Sequence, residues 1–173
     1  MKLSLLVSIF AVTVWAQGPV QVTRVPAPHK ELILEVKVPA SLDAVWTAFT
    51  TSEGLSTWLT PGAVVDLRAG GEWTAHFPGG ATGGGTIVNF APKTRLVMSA
   101  LAPPMFPHVR EDRTTAAWEF TAIDAKSTRV TLTQTGWKEG EEWDKAYAYL
   151  AEGNKRLLEV LQLRFEKGPI DWQ

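Results

Sequence analysis

From Val64 to Thr135 hydrophobic side chains recur at every second position: Val65 and Leu67; Trp73, Ala75 and Phe77; Ile87 to Phe90; Leu96, Met98 and Ala100; Trp118, Phe120 and Ala122; Val130 and Leu132. Successive side chains of a strand point to opposite faces, so this period predicts strands with one buried face. Turn signals at Ala69-Gly70-Gly71, the glycine-rich stretch near 79–85, Ala91-Pro92-Lys93 and Ile123-Asp124-Ala125-Lys126 cut the region into a meander of six strands. An earlier run, ELILEVKVP, sets Leu32, Leu34, Val36 and Val38 against Glu31, Glu35 and Lys37 and ends at Pro39. It reads as a further half-buried strand.

Two segments change period. After Pro39, Ser41 is a good N-cap and Asp43 suits a first turn, with Val45, Trp46 and Phe49 at helical spacing. A second short helix is expected from Ser52 through Trp58, ahead of Pro61. At the other end Trp143, Ala146, Tyr147, Leu150, Asn154, Leu157, Leu158 and Leu161 make one stripe of a long helix from about Glu141 to Phe165, closed by Gly168-Pro169. Such a helix is roughly 37 Å long, enough to lie across a sheet. Gly153 in its middle points to a kink or a close backbone approach.

The stretch HFPGGATGGGTIVNF places Gly79, Gly80, Gly83, Gly84 and Gly85 within seven positions. A phosphate loop needs a helix directly after its glycines, and the P-loop pattern also needs a Lys there. Here Thr86-Ile87-Val88-Asn89-Phe90 follows, which is β-branched and aromatic. The stretch is therefore expected to be a hairpin connection between antiparallel strands.

Composition adds an address. Met1-Lys2, an apolar run from Leu3 to Val14, and Val14-Trp15-Ala16 form a cleavable export signal over residues 1–16, with a mature chain from Gln17. The apolar run is too short to span a bilayer, so no stable membrane anchor is expected after cleavage, and the location implied is secreted or periplasmic. Residues 17–30, with three prolines, read as a flexible leader. With no cysteine, the chain has no disulfide framework. Residues 17–173 carry 16 basic against 18 acidic side chains, no electrostatic footprint for nucleic acid. Seven tryptophans lie beyond the signal, enough to build a core or an aromatic-walled cavity.

Chemistry is sparse. With His29, His76 and His108 as the only histidines and no cysteine, neither metal-ligand spacing nor a nucleophilic triad is present, and no cofactor is expected. The segment LAPPMFPHVREDR, Leu101 to Arg113, is long and proline-stiffened, as lids are. Met105 and Phe106 are candidates to cap a cavity, and His108 or Glu111 to act as acid or base; the alternative is a solvated turn. His76 falls on the outward phase of its strand. Gln134, Thr135 and Tyr147 can each fix the polar end of an apolar ligand.

VPASLDAVWTAFTTSEGLSTWL, VDLRAGGEW, GGTIVNFAPKTRLVMS, STRVTLTQTGW and RFEKGPIDW together resemble the START-like (SRPBCC) superfamily, in the branch of homologues of the heat shock protein 90 ATPase activator C-terminal domain. The resemblance covers residues 31–172. It implies an α+β helix-grip fold: a curved antiparallel sheet of about six or seven strands wrapped on the long C-terminal helix, with two short helices after the first strand. It also implies a cavity between sheet and helix. Onto it our register places Trp73, Phe77, Met98, Trp118 and Phe120 from the sheet, and Trp143, Tyr147 and Leu150 from the helix, with Met105 and Phe106 as a cap. Two functions follow as expectations. One is a binding module whose partner is a small hydrophobic or aromatic molecule. The alternative is a cyclase- or hydrolase-like enzyme using the same cavity. A co-chaperone role is discounted, because exported compartments lack the chaperone and its ATP. Oligomeric state is not legible.

Overall fold

The computed structural model describes residues 18–173, so the export signal and the start at Gln17 lie outside the described residues. In chain order the elements are β1 (Gln21–Val25), β2 (Glu31–Val38), α1 (Leu42–Thr50), α2 (Ser52–Ser56), β3 (Val64–Val65), β4 (Glu72–His76), β5 (Thr82–Ala91), β6 (Arg95–Leu101), α3 (Pro107–Asp112), β7 (Thr114–Asp124), β8 (Ser127–Thr135) and α4 (Glu141–Lys167). The strands form one open, curved antiparallel sheet in the order β1-β2-β8-β7-β6-β5-β4-β3, and α4 lies across it. This is the helix-grip arrangement.

The expected strands β2 and β3 to β8 are present. The sheet has eight strands rather than six or seven, because the segment read as a leader supplies β1. Val20 is buried and Val22 half-buried, so the proline-free stretch between Pro19 and Pro26 alternates after all and pairs with β2, Val22 opposite Leu34. The meander is otherwise joined in sequence, and β2 closes on β8 with Leu34 opposite Leu132. That pairing brings the two ends of the chain into one core, where Leu32, Leu34, Val36, Val130 and Leu132 are almost fully buried beside Leu158 and Leu161 of α4.

Local chemistry fixes the helices. Ser41 caps α1 by accepting from the Ala44 N–H at 3.3 Å. The last carbonyls of a helix lack partners within it, and two indoles supply them here: Trp58 donates to the Ala48 carbonyl at 2.9 Å and Trp73 to that of Phe49 at 2.7 Å. One bond thus ties β4 to the helix that plugs one end of the sheet. In α4 the acidic Glu141, Glu142 and Asp144 occupy the first turn and Arg164 and Lys167 the last, matching the helix dipole.

The glycine-rich stretch is a hairpin, with a division of labour the sequence conceals. Gly79 and Gly80, at φ of +89° and +85°, make the turn, whereas Gly83, Gly84 and Gly85 are already in β5. A Cβ on Gly84, at φ +104°, would stand 2.0 Å from the Trp73 carbonyl oxygen, and one on Gly85 would stand 2.2 Å from that of Ser99. Only glycine fits where β5 threads between β4 and β6. Gly153 is the opposite case: α4 runs through it as a single helix, and an added Cβ meets no atom within 4 Å. Neither a kink nor a close approach explains it.

These two glycines predict shifts of opposite sign. Gly84→Ala should lower the unfolding free energy by roughly 2 to 4 kcal/mol, through strain and overlap. Gly153→Ala should raise it by about 0.5 to 1 kcal/mol, through helix propensity and a less flexible unfolded chain. Urea midpoints at constant slope measure both. A neutral Gly84→Ala would mean that β5 does not approach β4 this closely.

Candidate functional site

Between the sheet and α4 lie two adjoining chambers that share part of their walls. The inner one, about 90 Å³, is bounded by Met98, Ala100, Ala116, Trp118, Leu132 and Gln134. The outer one, about 400 Å³, opens past Phe77, Thr82, Gly83, Pro103, Pro104 and Tyr149. They share Trp73, Gly84, Leu101, Leu150, Asn154 and Leu157 as walls. The space exists because the sheet opposite α4 carries small residues at Gly84, Ala100 and Ala116 while Trp73 and Trp118 stand at its sides. A void of this kind forgoes the dispersion contacts of a filled core.

The inner end is polar without being charged. Gln134, 4% exposed, donates from Nε2 to the Thr114 hydroxyl at 2.7 Å and accepts on Oε1 from the Asn154 amide at 3.1 Å. Trp118 is 3% exposed, and its Nε1–H has no hydrogen-bond partner among the described residues. The indoles of Trp58, Trp73, Trp137 and Trp172 all donate to backbone carbonyls. An unpaired buried donor costs about 1 to 3 kcal/mol, which sets the Trp118 indole apart from these four. The cavity lining contains no carboxylate, imidazole, amine or guanidinium. It can exclude water and hydrogen-bond a neutral group; it has no charged side chain with which to move a proton.

Of the sequence-derived lining residues, Trp73, Phe77, Met98, Trp118 and Leu150 meet in this cavity. Trp118 faces inward, as its strand period implied; it shares the inner chamber with Leu150 of α4, and its ring centroid lies 5.1 Å from that of Phe49 of α1. Five others lie elsewhere. Phe120 stacks edge-on with Trp46 and Phe49, because α1 covers that end of β7. Trp143 and Phe106 belong to a second small core with Ala102, Val109 and Ala146. Tyr147 is turned toward β2, donating to the Glu31 carbonyl at 2.7 Å beneath the Lys30 ammonium; burial pushes its phenol up. Met105 is 62% exposed and caps nothing. Sequence reading missed Gln134's partner Asn154 as a cavity residue. An amide at i+4 from Leu150 on the apolar stripe was the available signal.

The 101–113 segment is neither lid nor bare loop. Pro103 and Pro104 form part of the outer wall, and the segment then coils into α3, absent from the sequence reading. Helix α3 has no cap of its own: Phe106 precedes it and Pro107 brings no N–H. Glu142 of α4 supplies the cap in trans, accepting from the His108 N–H at 2.8 Å, the Val109 N–H at 3.2 Å and His108 Nδ1 at 2.5 Å. Arg110 ties the other side to β5, donating to the Thr82 hydroxyl at 3.0 Å and to the Ala102 carbonyl. His108 and Glu111 are exposed and do not line the cavity, so neither serves as its acid or base. His76 is exposed, as expected. Among the described residues no group of three or more potential ligands is placed to hold a metal ion, and no helix is long and apolar enough to cross a membrane.

The model of the family described as Activator of Hsp90 ATPase homolog 1-like protein matches residues 39–166. The sequence matches no curated protein. Among solved structures it is similar to the Aha1 dimer of Colwellia psychrerythraea, with TM-score 0.64 and 19% identity over 80% of this chain and 97% of that one. It is similar to the protein MLL2253 of Mesorhizobium loti, with TM-score 0.67 and 15% identity over 81% and 99%. CalU16 of Micromonospora echinospora aligns with TM-score 0.60 and 20% identity over 91% and 88%. At these identities the likeness is one of fold.

The His108–Glu142 contact predicts a pH window. Its hydrogen bond, then its charge, raises the His108 pKa above the ordinary 6.5, while the same bond holds the Glu142 carboxyl below its ordinary range. A raised imidazole contributes below its unfolded value and loses that contribution as pH rises through the raised one. A depressed carboxylate contributes above its unfolded value and loses it as pH falls through the depressed one. The clamp is therefore intact between the depressed Glu142 value and the raised His108 value. Imidazole proton shifts should place the His108 midpoint above the ordinary 6.5, and Glu142→Gln should bring it back toward that value. An unchanged midpoint in the variant would rule the contact out.

Proposed function

The chain belongs to the Activator of Hsp90 ATPase homolog 1-like family, and from that premise we propose that it is a binding module holding one small, mainly apolar molecule between the sheet and α4. The observation that carries this reading is the two-chambered cavity, walled by Trp73, Trp118, Phe77, Leu150 and Leu157 and closed at its inner end by uncharged amides. Few, convergent polar groups in an apolar pocket of several hundred Å³ are what small-molecule sites offer. An acid–base enzyme needs ionisable groups converging on the reacting atoms. Among the described lining residues the one ionisable side chain is the Tyr149 phenol, and Arg110, which touches the lining at Thr82, has its guanidinium engaged with Thr82 and Ala102. That favours binding over the cyclase- or hydrolase-like alternative.

We further propose that the protein acts outside the cytosol, on the strength of the export signal in residues 1–16. ATPase activation of a cytosolic chaperone then has no substrate to act on. Intact mass of protein recovered from the extracytoplasmic fraction should correspond to a chain starting at Gln17. A mass retaining Leu3 to Ala16 would refute this part.

Binding itself is tested with N-phenyl-1-naphthylamine, a neutral apolar fluorophore. The full chain should bind it saturably at one site with enhanced probe emission. Leu150 stands on the wall common to both chambers and is only half-buried at the edge of the core, so Leu150→Trp should intrude on both chambers. We expect the affinity to fall at least tenfold, about 1.4 kcal/mol. Equal binding by this variant, with an unchanged circular dichroism spectrum, would place the probe elsewhere and remove the support for the cavity.

A further inference from the structure

Resting on the cavity reading, we infer that the ligand carries a neutral hydrogen-bond donor, a phenolic or alcoholic hydroxyl, which the Asn154 side-chain oxygen accepts. Asn154 walls both chambers, between Leu150 one turn before it and Leu157 one turn after. Its Nδ2 donates to Gln134 Oε1 at 3.1 Å, and Gln134 is itself a wall of the inner chamber, so the carboxamide projects from α4 toward the sheet. Gln134 is anchored in turn on the Thr114 hydroxyl at 2.7 Å, an order of bonds that engages the Asn154 nitrogen and leaves its oxygen over. Asn154 Oδ1 has no hydrogen-bond partner among the described residues, yet it is not sealed off. The side-chain polar atoms buried without a partner are Trp118 Nε1 and Ser127 Oγ, whereas Asn154 is only half-buried and its oxygen is open to a ligand. An amide oxygen accepts and cannot donate, so whatever satisfies it must bring the proton. The lining holds no carboxylate, and an ammonium donor would enter without a counter-charge, at a cost far above that of one hydrogen bond. A neutral hydroxyl meets both conditions.

The neighbouring polar groups set where that hydroxyl lies. The Thr82 hydroxyl already accepts from Arg110 at 3.0 Å, and Tyr149 stands 47% exposed, both on the outer side. Asn154, on the common wall, places the hydroxyl where the chambers adjoin. The outer one, about 400 Å³, then takes a body of one or two rings, and the inner one, about 90 Å³, a small substituent or a few waters. Water is what a ligand replaces on Oδ1, so the bond selects molecules with a hydroxyl over those without one.

2-Naphthol and its methyl ether, 2-methoxynaphthalene, share rings and oxygen and differ in the proton, and both are measured by displacement of N-phenyl-1-naphthylamine. The ratio of naphthol to ether affinity should be about fivefold lower in Asn154→Leu than in the wild type, the usual weight of one net hydrogen bond. An unchanged ratio overturns the inference while leaving the cavity reading intact. Should neither compound compete in the wild type, both fall together. The wild type alone gives a second readout that does not depend on the variant folding. The sequence has two asparagines, Asn89 and Asn154, so a sample labelled with ¹³C at the asparagine side-chain carbonyl gives two signals. Naphthol should move one of them downfield and the ether should not. An identical response to both compounds would mean that Asn154 accepts no proton from the ligand, and would overturn the inference.

Discussion

Strand β5 passes between β4 and β6 with glycine at two consecutive positions, and much of the molecule is arranged around that passage. With no side chain at Gly84 or Gly85, the backbones of Trp73 and Ser99 close in to within the radius a methyl group would need. The approach sets the register that carries Trp73 to the Phe49 carbonyl, and so locks the sheet to α1. It also leaves a bare stretch of sheet beneath α4. Gly84 is at once one of the tightest backbone approaches of the meander and a wall of both chambers. A larger residue there would disturb the fold and fill the cavity together, so the void is tied to the strand geometry.

The second constraint is that one long helix must do two different jobs. Its C-terminal half lays Leu158 and Leu161 on the β2 and β8 face as ordinary core. Its N-terminal half turns Trp143 and Ala146 toward α3, with Glu142 capping that short helix. Between the halves Leu150, Asn154 and Leu157 stand over the chambers, with Leu150 and Leu157 half-buried at the edge of the main core. An α-helix repeats every 3.6 residues, so a straight stripe drifts around the axis along 27 residues. The drift is only about 20° per heptad, so Trp143, one heptad before Leu150, leaves the cavity chiefly by its distance along the axis, beside α3, while Tyr147 is turned to β2.

This division of α4 also marks what the sequence could disclose. Period two named the faces of β4, β6, β7 and β8 correctly, and Trp73, Met98 and Trp118 followed from it, because strand alternation tolerates no slippage once one face is buried. Helical period named the stripe of α4 but not which neighbour each part of it would meet. That depends on where α1 and α3 sit, and α3 was not legible at all: its cap comes from Glu142, far away in the chain, and its local sequence PHVRED has none. Strand β1 was hidden by the prolines on either side of it. The glycine run was legible as a break but not as strand, because glycine's strand propensity is poor and the reason for it is a neighbour's carbonyl.

Why the inner chamber keeps a tryptophan is a question of balance between packing and polarity. Phenylalanine would supply most of the same apolar wall without a donor to leave unpaired, so packing against Phe49 does not by itself call for indole. At four other tryptophans the indole N–H is used: it caps α1 twice, bonds the Gln134 carbonyl from Trp137, and fastens Trp172, next to the last residue, to the Ser56 carbonyl. At Trp118 the same group is buried without a partner among the described residues. Such burial costs about 1 to 3 kcal/mol, so the indole is kept at this position against its own polarity and not because of it.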